Sequence, residues 1–191
     1  AGVMGMGELS RLHQRLFYGE SVVTDVRGAL FVPHDPGMLE CHLSSEKSSI
    51  LEKAAQSLIE ELDRIKREEI QPHELERVLV SAESERVYST QTVDGMASRI
   101  GFLKFVVGDM DFDRKNIEAM RAATPEKIRF TAQQYLTAHR LSGVAMKPKG
   151  DSFDFSGIST ELSKRLASDP SRKPKLIARP KILQPKFIER P

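Results

Sequence analysis

Residues 22–43 read VVTDVRGALFVPHDPGMLECHL, and this stretch decides the fold class. Val22 to Val32 is rich in β-branched and apolar residues, and Met38 to Leu43 alternates between apolar and polar residues, so each run predicts a strand. The residues between them, Pro33-His34-Asp35-Pro36-Gly37, are typical of a turn. We therefore expect an antiparallel hairpin.

The sequence after the hairpin predicts mainly helices. Apolar residues recur at three- and four-residue spacing from about Glu46 to Glu68, which places them on one face of a helix. Pro72 then allows a second helix to start, because proline is tolerated at the first helical position. The other predicted elements are a helix over 8–18 closed at Gly19, the second helix from His73 to about Val107 with a disturbance near Asp94-Gly95, a helix from Phe112 to Ala122, a helix from the cap Thr124-Pro125-Glu126 to about His139, a strand from Leu141 to Met146, and a short helix within Phe153–Ala167.

This order of elements predicts an α+β fold, in which long helices pack on one face of an antiparallel sheet. Three strands with an apolar face need further strands to close a core. We therefore expect the fold to be incomplete at its N-terminus. The predicted domain covers residues 1–148.

Charge is distributed unevenly along the 191 residues. Residues 164–191 contain nine Lys or Arg residues and two acidic residues, Asp169 and Glu189, so this segment has a net charge of +7. The whole chain has a net charge of +2, so residues 1–163 have a net charge of −5. Five of the ten prolines also fall between Pro170 and Pro191. Residues 149–191 are therefore predicted to be a basic, proline-rich linker or arm.

Composition also excludes some classes of protein. Cys41 is the only cysteine, so the chain forms no internal disulfide. No apolar run approaches the ~20 residues that cross a bilayer. The arm has one aromatic residue, Phe187, for stacking on bases, and prolines dilute its charge. We therefore expect no nucleic-acid partner and no membrane partner.

Several short motifs follow one another between residues 5 and 148. In order they are Gly5-Met6-Gly7-Glu8-Leu9-Ser10-Arg11-Leu12-His13-Gln14-Arg15-Leu16, then Pro72-His73-Glu74-Leu75-Glu76-Arg77, then Thr124-Pro125-Glu126-Lys127, and finally Tyr135-Leu136 with Val144 to Pro148. As a set, they resemble the second, non-metal-binding domain of a half-molecule of the pitrilysin/insulinase family of zinc metallopeptidases, the inverzincins. The resemblance implies a fold of the LuxS and processing-peptidase type, in an enzyme that encloses unfolded peptides in a chamber.

The zinc motif of that family, His-x-x-Glu-His, is missing from this chain. Only His73 comes close, because Glu76 follows it, but the next residue is Arg77, which has no lone pair for a metal. In the family's catalytic partner half, an Arg and a Tyr seven residues apart steady the substrate carbonyl. Counted from Gln14, those places hold Phe17 and Thr24 here. We therefore predict no catalytic, cofactor-binding or metal-binding residue in this chain, with the zinc of the parent enzyme held outside residues 1–191.

Three other groups of polar residues have weaker claims to be sites. Cys41 and His42 are adjacent on a predicted strand, so their side chains point to opposite faces and cannot share a metal ion. Asp109, Asp111 and Asp113 alternate as in a calcium loop, but the required Gly and Glu are absent, which favours a polar loop before a helix. The mixed charges from Glu60 to Glu69 are typical of a solvated helix face with ion pairs four residues apart.

These patterns favour a non-catalytic domain or fragment of a pitrilysin-type peptidase, inactive alone, that helps form the peptide-binding chamber. Its partners would be the remaining domains or a homologous half of the same peptidase, and unfolded peptide substrates. The alternative is a catalytically dead homologue that acts as a structural or protein-interaction subunit. A third hypothesis is an independent binding module that uses its basic arm.

Overall fold

The computed structural model describes residues 1–31 and 37–167. These residues are mostly helical and include a two-stranded antiparallel sheet, which confirms the predicted α+β class. They fall into two units: one contains Ala1–Phe31, Met38–Val78 and the chain from Thr124, and the other contains Leu79–Ala123. Residues 33–36 of the predicted turn, and the part of the predicted arm from residue 168 onward, lie outside the described residues.

The hairpin forms between strands β1, Asp25–Phe31, and β2, Met38–Ser44. They pair antiparallel from Asp25 opposite Ser44 to Phe31 opposite Met38, so the predicted hairpin is confirmed. The first strand starts three residues later than the prediction. Val22 is still bonded to the preceding helix, through its N–H and the carbonyl of Leu16 at 2.9 Å. It is buried in the core instead of pairing in the sheet.

Helices supply the other regular elements of the described structure. The α-helices are α1, Gly2–Gly5; α2, Ser48–Arg67; α3, Pro72–Ser89; α4, Val93–Gly101; α5, Phe112–Arg121; α6, Pro125–Tyr135; and α7, Phe155–Arg165. Two π-helices, His13–Gly19 and Phe102–Val107, and a 3₁₀ turn, Ala138–Arg140, complete the set. None of the described helices has the length and apolar character needed to cross a membrane.

The core of the first unit surrounds α2. This helix contacts β2 and the first π-helix, and it also contacts α6 and α7. Leu12, Leu16, Ala54 and Leu166 are fully buried there. Leu166 lies just after α7, in the segment predicted to be an arm, and its carbonyl accepts a hydrogen bond from Ala138 N–H at 3.0 Å. Burial at α2 therefore extends along the chain as far as residue 166.

A close glycine contact joins α1 to the sheet. A Cβ at Gly5 would lie 2.3 Å from the Cα of Gly28 in β1, and a Cβ at Gly28 would lie 2.8 Å from the Cα of Gly5. Real side chains do not approach backbone so closely. Glycine is needed at both positions because the two backbones touch.

The long helix predicted from His73 to Val107 is wrong as a single element. It stops at Ser89, and α4 starts at Val93, ahead of the expected disturbance. Hydroxyl groups cause the break: Thr90 Oγ1 donates to Arg86 O at 3.1 Å, and Thr92 Oγ1 accepts from Gly95 N–H at 3.0 Å. Such bonds compete with the helical backbone and cap a new helix. Gly108, with φ of 76°, ends the second π-helix as expected.

The end of the described chain differs more from the prediction. Thr124 caps α6 as expected, with Oγ1 accepting from Lys127 N–H at 3.2 Å. The helix ends at Tyr135 rather than near His139, and a 3₁₀ turn follows. The strand predicted from Leu141 to Met146 is not formed in the described structure, because no described strand lies beside it to share hydrogen bonds.

Candidate functional site

Side chains that could bind a metal are dispersed. Within residues 1–31 and 37–167 there is no group of three or more His, Cys, Asp or Glu residues that could hold an ion. His73 is exposed at the start of α3, and the guanidinium of Arg77 donates to Met6 O at 2.9 Å. His73, Glu76 and Arg77 therefore do not fit a zinc site. His34 lies outside the described residues.

Phe17 and Thr24, at the two positions counted from Gln14, have structural contacts. Phe17 is half-buried against the core, and its ring centroid lies 4.8 Å from that of His13. Thr24 is exposed and donates its backbone N–H to Ser44 O at 2.8 Å. One position packs a ring and the other extends the hairpin, so neither offers a cation or a phenol.

Cys41 and His42 point to opposite faces of β2, as the sequence predicts. Cys41 is half-buried and packs against the core, whereas the His42 side chain is 67% exposed, with Nε2 3.4 Å from Glu40 Oε2. Burial raises the pKa of the Cys41 thiol, which keeps it protonated near neutral pH. This pair is neither a metal site nor an activated nucleophile.

Each of the three aspartates before and within α5 is paired with a Lys or Arg side chain. Lys115 Nζ lies 2.7 Å from Asp109 Oδ2, Arg114 Nε donates to Asp111 at 2.9 Å, and Arg99 Nε donates to Asp113 at 2.9 Å. These hydrogen bonds lower the pKa of each carboxyl below its ordinary value. The segment is a polar loop and helix start, as predicted, and each of its three carboxylates has its own cation.

A cluster of ion pairs surrounds Arg15, and the sequence did not predict it. Arg15 Nε donates to Glu20 at 2.6 Å, Nη1 donates to Glu61 at 3.2 Å, and Nη2 donates to Glu60. Ser57 Oγ donates to the other Glu20 oxygen at 2.6 Å. We call these five residues the Arg15 cluster. It connects the first π-helix to α2.

Hydrogen bonds favour the charged forms of Glu20 and Arg15 within this cluster. Glu61 is only 2% exposed, and its Oε2 has no hydrogen-bond partner among the described residues. Burial opposes the charge on Glu20, but hydrogen bonds from Ser57 and Arg15 lower the pKa of this carboxyl below its ordinary value. Burial also opposes the charge on Arg15, and hydrogen bonds to Glu60, Glu20 and Glu61 raise its pKa. A carboxylate that acts as a base near neutral pH needs a raised pKa, so the lowered pKa of Glu20 does not suit that role.

The Arg15 cluster corrects one expectation from the sequence. The charges from Glu60 to Glu69 do form the expected pairs, such as Arg64 with Glu68 at 2.8 Å and Arg67 with Asp63 at 2.7 Å. However, Glu61 and Lys66 are buried. The helix is covered on more than one side, because α6 and α7 also pack on it. The run is therefore only partly a solvated face.

A second ion pair ties the first motif to the start of α3. Arg11 donates Nε and Nη2 to the two oxygens of Glu74, at 2.7 and 2.8 Å. Glu74 Oε2 also accepts from Gln71 N–H at 2.7 Å, which caps the helix. The bond to Glu74 raises the pKa of Arg11, with burial opposing it. Arg11 therefore holds the first motif against the start of α3.

One open depression in the surface of the described residues is formed by a single helix. An open depression of about 480 Å³ on one side of α6 is lined by Glu126, Lys127, Phe130 and Thr131. All four belong to one helix. A site for chemistry usually brings groups together from several elements.

Comparisons with known proteins agree with this geometry at the level of the fold. No family model matches the chain, and neither does any curated protein sequence. Among solved structures, the chain is similar to a protease from Helicobacter pylori, with a TM-score of 0.58 and 15% sequence identity. The fold resembles part of a protease. The match covers 68% of this chain and 31% of that one, so this protein spans less than a third of the protease it matches.

Proposed function

We propose that this chain is a non-catalytic domain of a pitrilysin-type zinc metallopeptidase and helps to form the chamber that binds unfolded peptides. The observation that carries the proposal is the structural likeness to a protease over 68% of the chain. The ordered motifs between residues 5 and 148 support the choice of family. This chain contains no His-x-x-Glu-His motif, so the proposal places the zinc in another part of the protein.

The charged groups of the first unit support the same role. The Arg15 cluster joins the first π-helix to α2, and the pair of Arg11 with Glu74 joins the first motif to α3. In an enzyme, groups that titrate near the working pH and converge on a cleft suggest catalysis. Here the shifted carboxylates Glu20 and Glu74 are held as anions by arginines. Such pairs hold elements of the fold together, and carboxylates with lowered pKa values are poorly suited to act as bases near neutral pH.

Hydrolysis of a quenched, unstructured peptide tests this proposal. The purified chain should give no turnover, with or without a metal chelator. Adding the zinc-binding part of the same protein should then restore turnover that the chelator abolishes, because a zinc-bound water performs the hydrolysis. Chelator-sensitive turnover by the purified chain alone, with contaminating protease excluded by a second purification, would overturn the proposal.

The alternative, a catalytically dead homologue that acts as a structural subunit, rests on the same fold likeness. The two readings differ in the part of the protein that carries, or lacks, the zinc motif. Metal analysis of the complete protein separates them: about one zinc ion per chain supports the peptidase. A complete protein that binds no zinc and still forms a stable complex with a partner supports the structural subunit.

A further inference from the structure

Two buried polar atoms of opposite character have no hydrogen-bond partner among the described residues. They are Nη1 of Arg11, which is a donor, and Oε2 of Glu61, which is an acceptor. The side chain of Arg11 is 11% exposed and that of Glu61 is 2% exposed, so bulk water does not satisfy either atom. Native proteins satisfy nearly all such groups, with protein atoms or with ordered water.

Arg11 lies close to the residue that binds Glu61. The backbone is already helical around Arg11, because Gln14 N–H donates to Ser10 O at 2.9 Å. Residues four apart in a helix are neighbours on one face, so Arg11 is next to Arg15. Arg15 Nη1 in turn donates to Glu61 at 3.2 Å. Arg11 is therefore one helical turn from the arginine that holds Glu61 in place.

The charges of Arg11 and Glu61 also interact. The hydrogen bond to Glu74 is the largest cause of the raised pKa of Arg11, burial opposes it, and the charge of Glu61 adds to it. However, Nε and Nη2 of Arg11 bind Glu74. Oε1 of Glu61 faces Arg15 at 3.2 Å and Arg64 at 3.6 Å. The remaining donor and acceptor are thus near each other without a direct bond between them.

The charges at this place select the molecule that can bind there. Arg11 repels a cation and Glu61 repels an anion, and such interactions are stronger in a buried place than in water. A neutral molecule that accepts from one atom and donates to the other avoids both repulsions. Water is the smallest such molecule, and a buried water typically makes about three hydrogen bonds to groups of this kind.

We propose that an ordered water molecule is bound between Arg11 and Glu61, accepting a hydrogen bond from Nη1 and donating one to Oε2. This water joins the pair of Arg11 with Glu74 to the Arg15 cluster, so α2 and the start of α3 share one hydrogen-bonded network. Water-mediated bonds of this kind are nearly as favourable in enthalpy as direct ones. The inference concerns the architecture of the first unit and does not depend on the proposed function.

A crystal structure of the chain, at a resolution that shows ordered waters, tests this site directly. We expect a peak of electron density about 2.7–3.2 Å from Nη1 of Arg11 and about 2.5–3.0 Å from Oε2 of Glu61. A direct bond between these two atoms would overturn the inference. A protein side chain bonded at the same place, or no density between the two atoms, would also overturn it.

Oxygen-17 magnetic relaxation dispersion tests the same water in solution, because it counts water molecules that stay inside a protein for longer than the protein takes to tumble. Arg11→Lys keeps the positive charge next to Glu74 but replaces the forked guanidinium with a single nitrogen, which leaves no donor at the place of Nη1. We expect the number of long-lived waters to fall by about one.

Arg67→Lys is the matched control, because Arg67 is 67% exposed in its pair with Asp63. It should leave the number of long-lived waters unchanged. An unchanged number in Arg11→Lys, or an equal fall in both variants, would contradict the inference. The crystal structure uses the unchanged chain, so it decides the matter even where Arg11→Lys does not fold. Neither measurement involves peptide hydrolysis, so a failure here can be told apart from a failure of the proposed function.

Discussion

Arg15 Nη1 lies 3.2 Å from Oε1 of Glu61, a carboxylate that is only 2% exposed. The two residues are 46 positions apart in sequence and belong to different helices. Their contact fixes the first π-helix on α2. Four predictions follow from this and related contacts in the first unit.

Replacing Arg15 by methionine should destabilise the fold. Arg15→Met removes the nearer cation of the buried Glu61 carboxylate and leaves it with Arg64, whose Nη1 lies 3.6 Å from Oε1. Leaving a buried polar group short of a partner costs about 1–3 kcal/mol. Urea denaturation should show this loss in the free energy of unfolding. Arg67→Met is the control, because Arg67 is 67% exposed in its pair with Asp63, and such surface pairs contribute less than about 1 kcal/mol. Equal losses in the two variants would contradict the structural role of the cluster.

Adding a methyl group between α1 and β1 should also destabilise the fold. In Gly28→Ala the new Cβ would meet the Gly5 backbone at 2.8 Å, and overpacking of this kind costs about 1–3 kcal/mol. Gly101→Ala is the control. A Cβ there meets nothing within 4 Å, at the end of α4. Thermal unfolding should show a lower Tm for Gly28→Ala and an unchanged or higher Tm for Gly101→Ala.

The stability of the first unit should decrease in acid. The folded-state pKa of Glu20 and of Glu74 lies below the ordinary value of 4.5. The stabilisation from these carboxylates is therefore fully present above about pH 4.5 and is lost as pH falls through their lowered pKa. The difference in unfolding free energy between the unchanged chain and Glu20→Gln should be larger at pH 7 than at pH 3. A difference that stays constant with pH would mean that ionised Glu20 does not stabilise the fold.

Shortening Leu166 should show that the chain after residue 148 contributes to the core. Leu166 is fully buried, and Leu→Ala changes in cores cost about 2–5 kcal/mol. The matched control is Val144→Ala, at a side chain that is 94% exposed, where a change within about 0.5 kcal/mol is expected. Chemical denaturation measures both. A neutral Leu166→Ala variant would mean that α7 does not stabilise this unit.

Local chemistry in the sequence was enough to place several elements. The hairpin followed from strand patterns on either side of a turn, and the start of α6 followed from the cap at Thr124. The end of the long helical region followed from Gly108, which adopts the left-handed conformation. Each of these signals depends on neighbours in sequence, so no knowledge of the tertiary structure was needed.

Other features could not be predicted because their partners are far apart in sequence. The charges of α2 suggested a solvated face, and only packing against the first π-helix and α7 shows that Glu61 is buried. The break after Ser89 depends on hydroxyl bonds that the helical pattern hides. The pattern from Leu141 to Met146 predicts a strand, but a strand forms only where another strand lies beside it.

The sequence by itself determined the α+β class, the bounds of α2 and α5 to within about two residues, and the absence of a His-x-x-Glu-His motif from these 191 residues. These properties reside in residue identity and short-range spacing. Only the tertiary structure decided that Arg11 and Arg15 anchor helices, that Gly5 and Gly28 touch, and that Val144 is left exposed. Burial and pairing are properties of two distant segments at once, so neither segment's sequence specifies them alone.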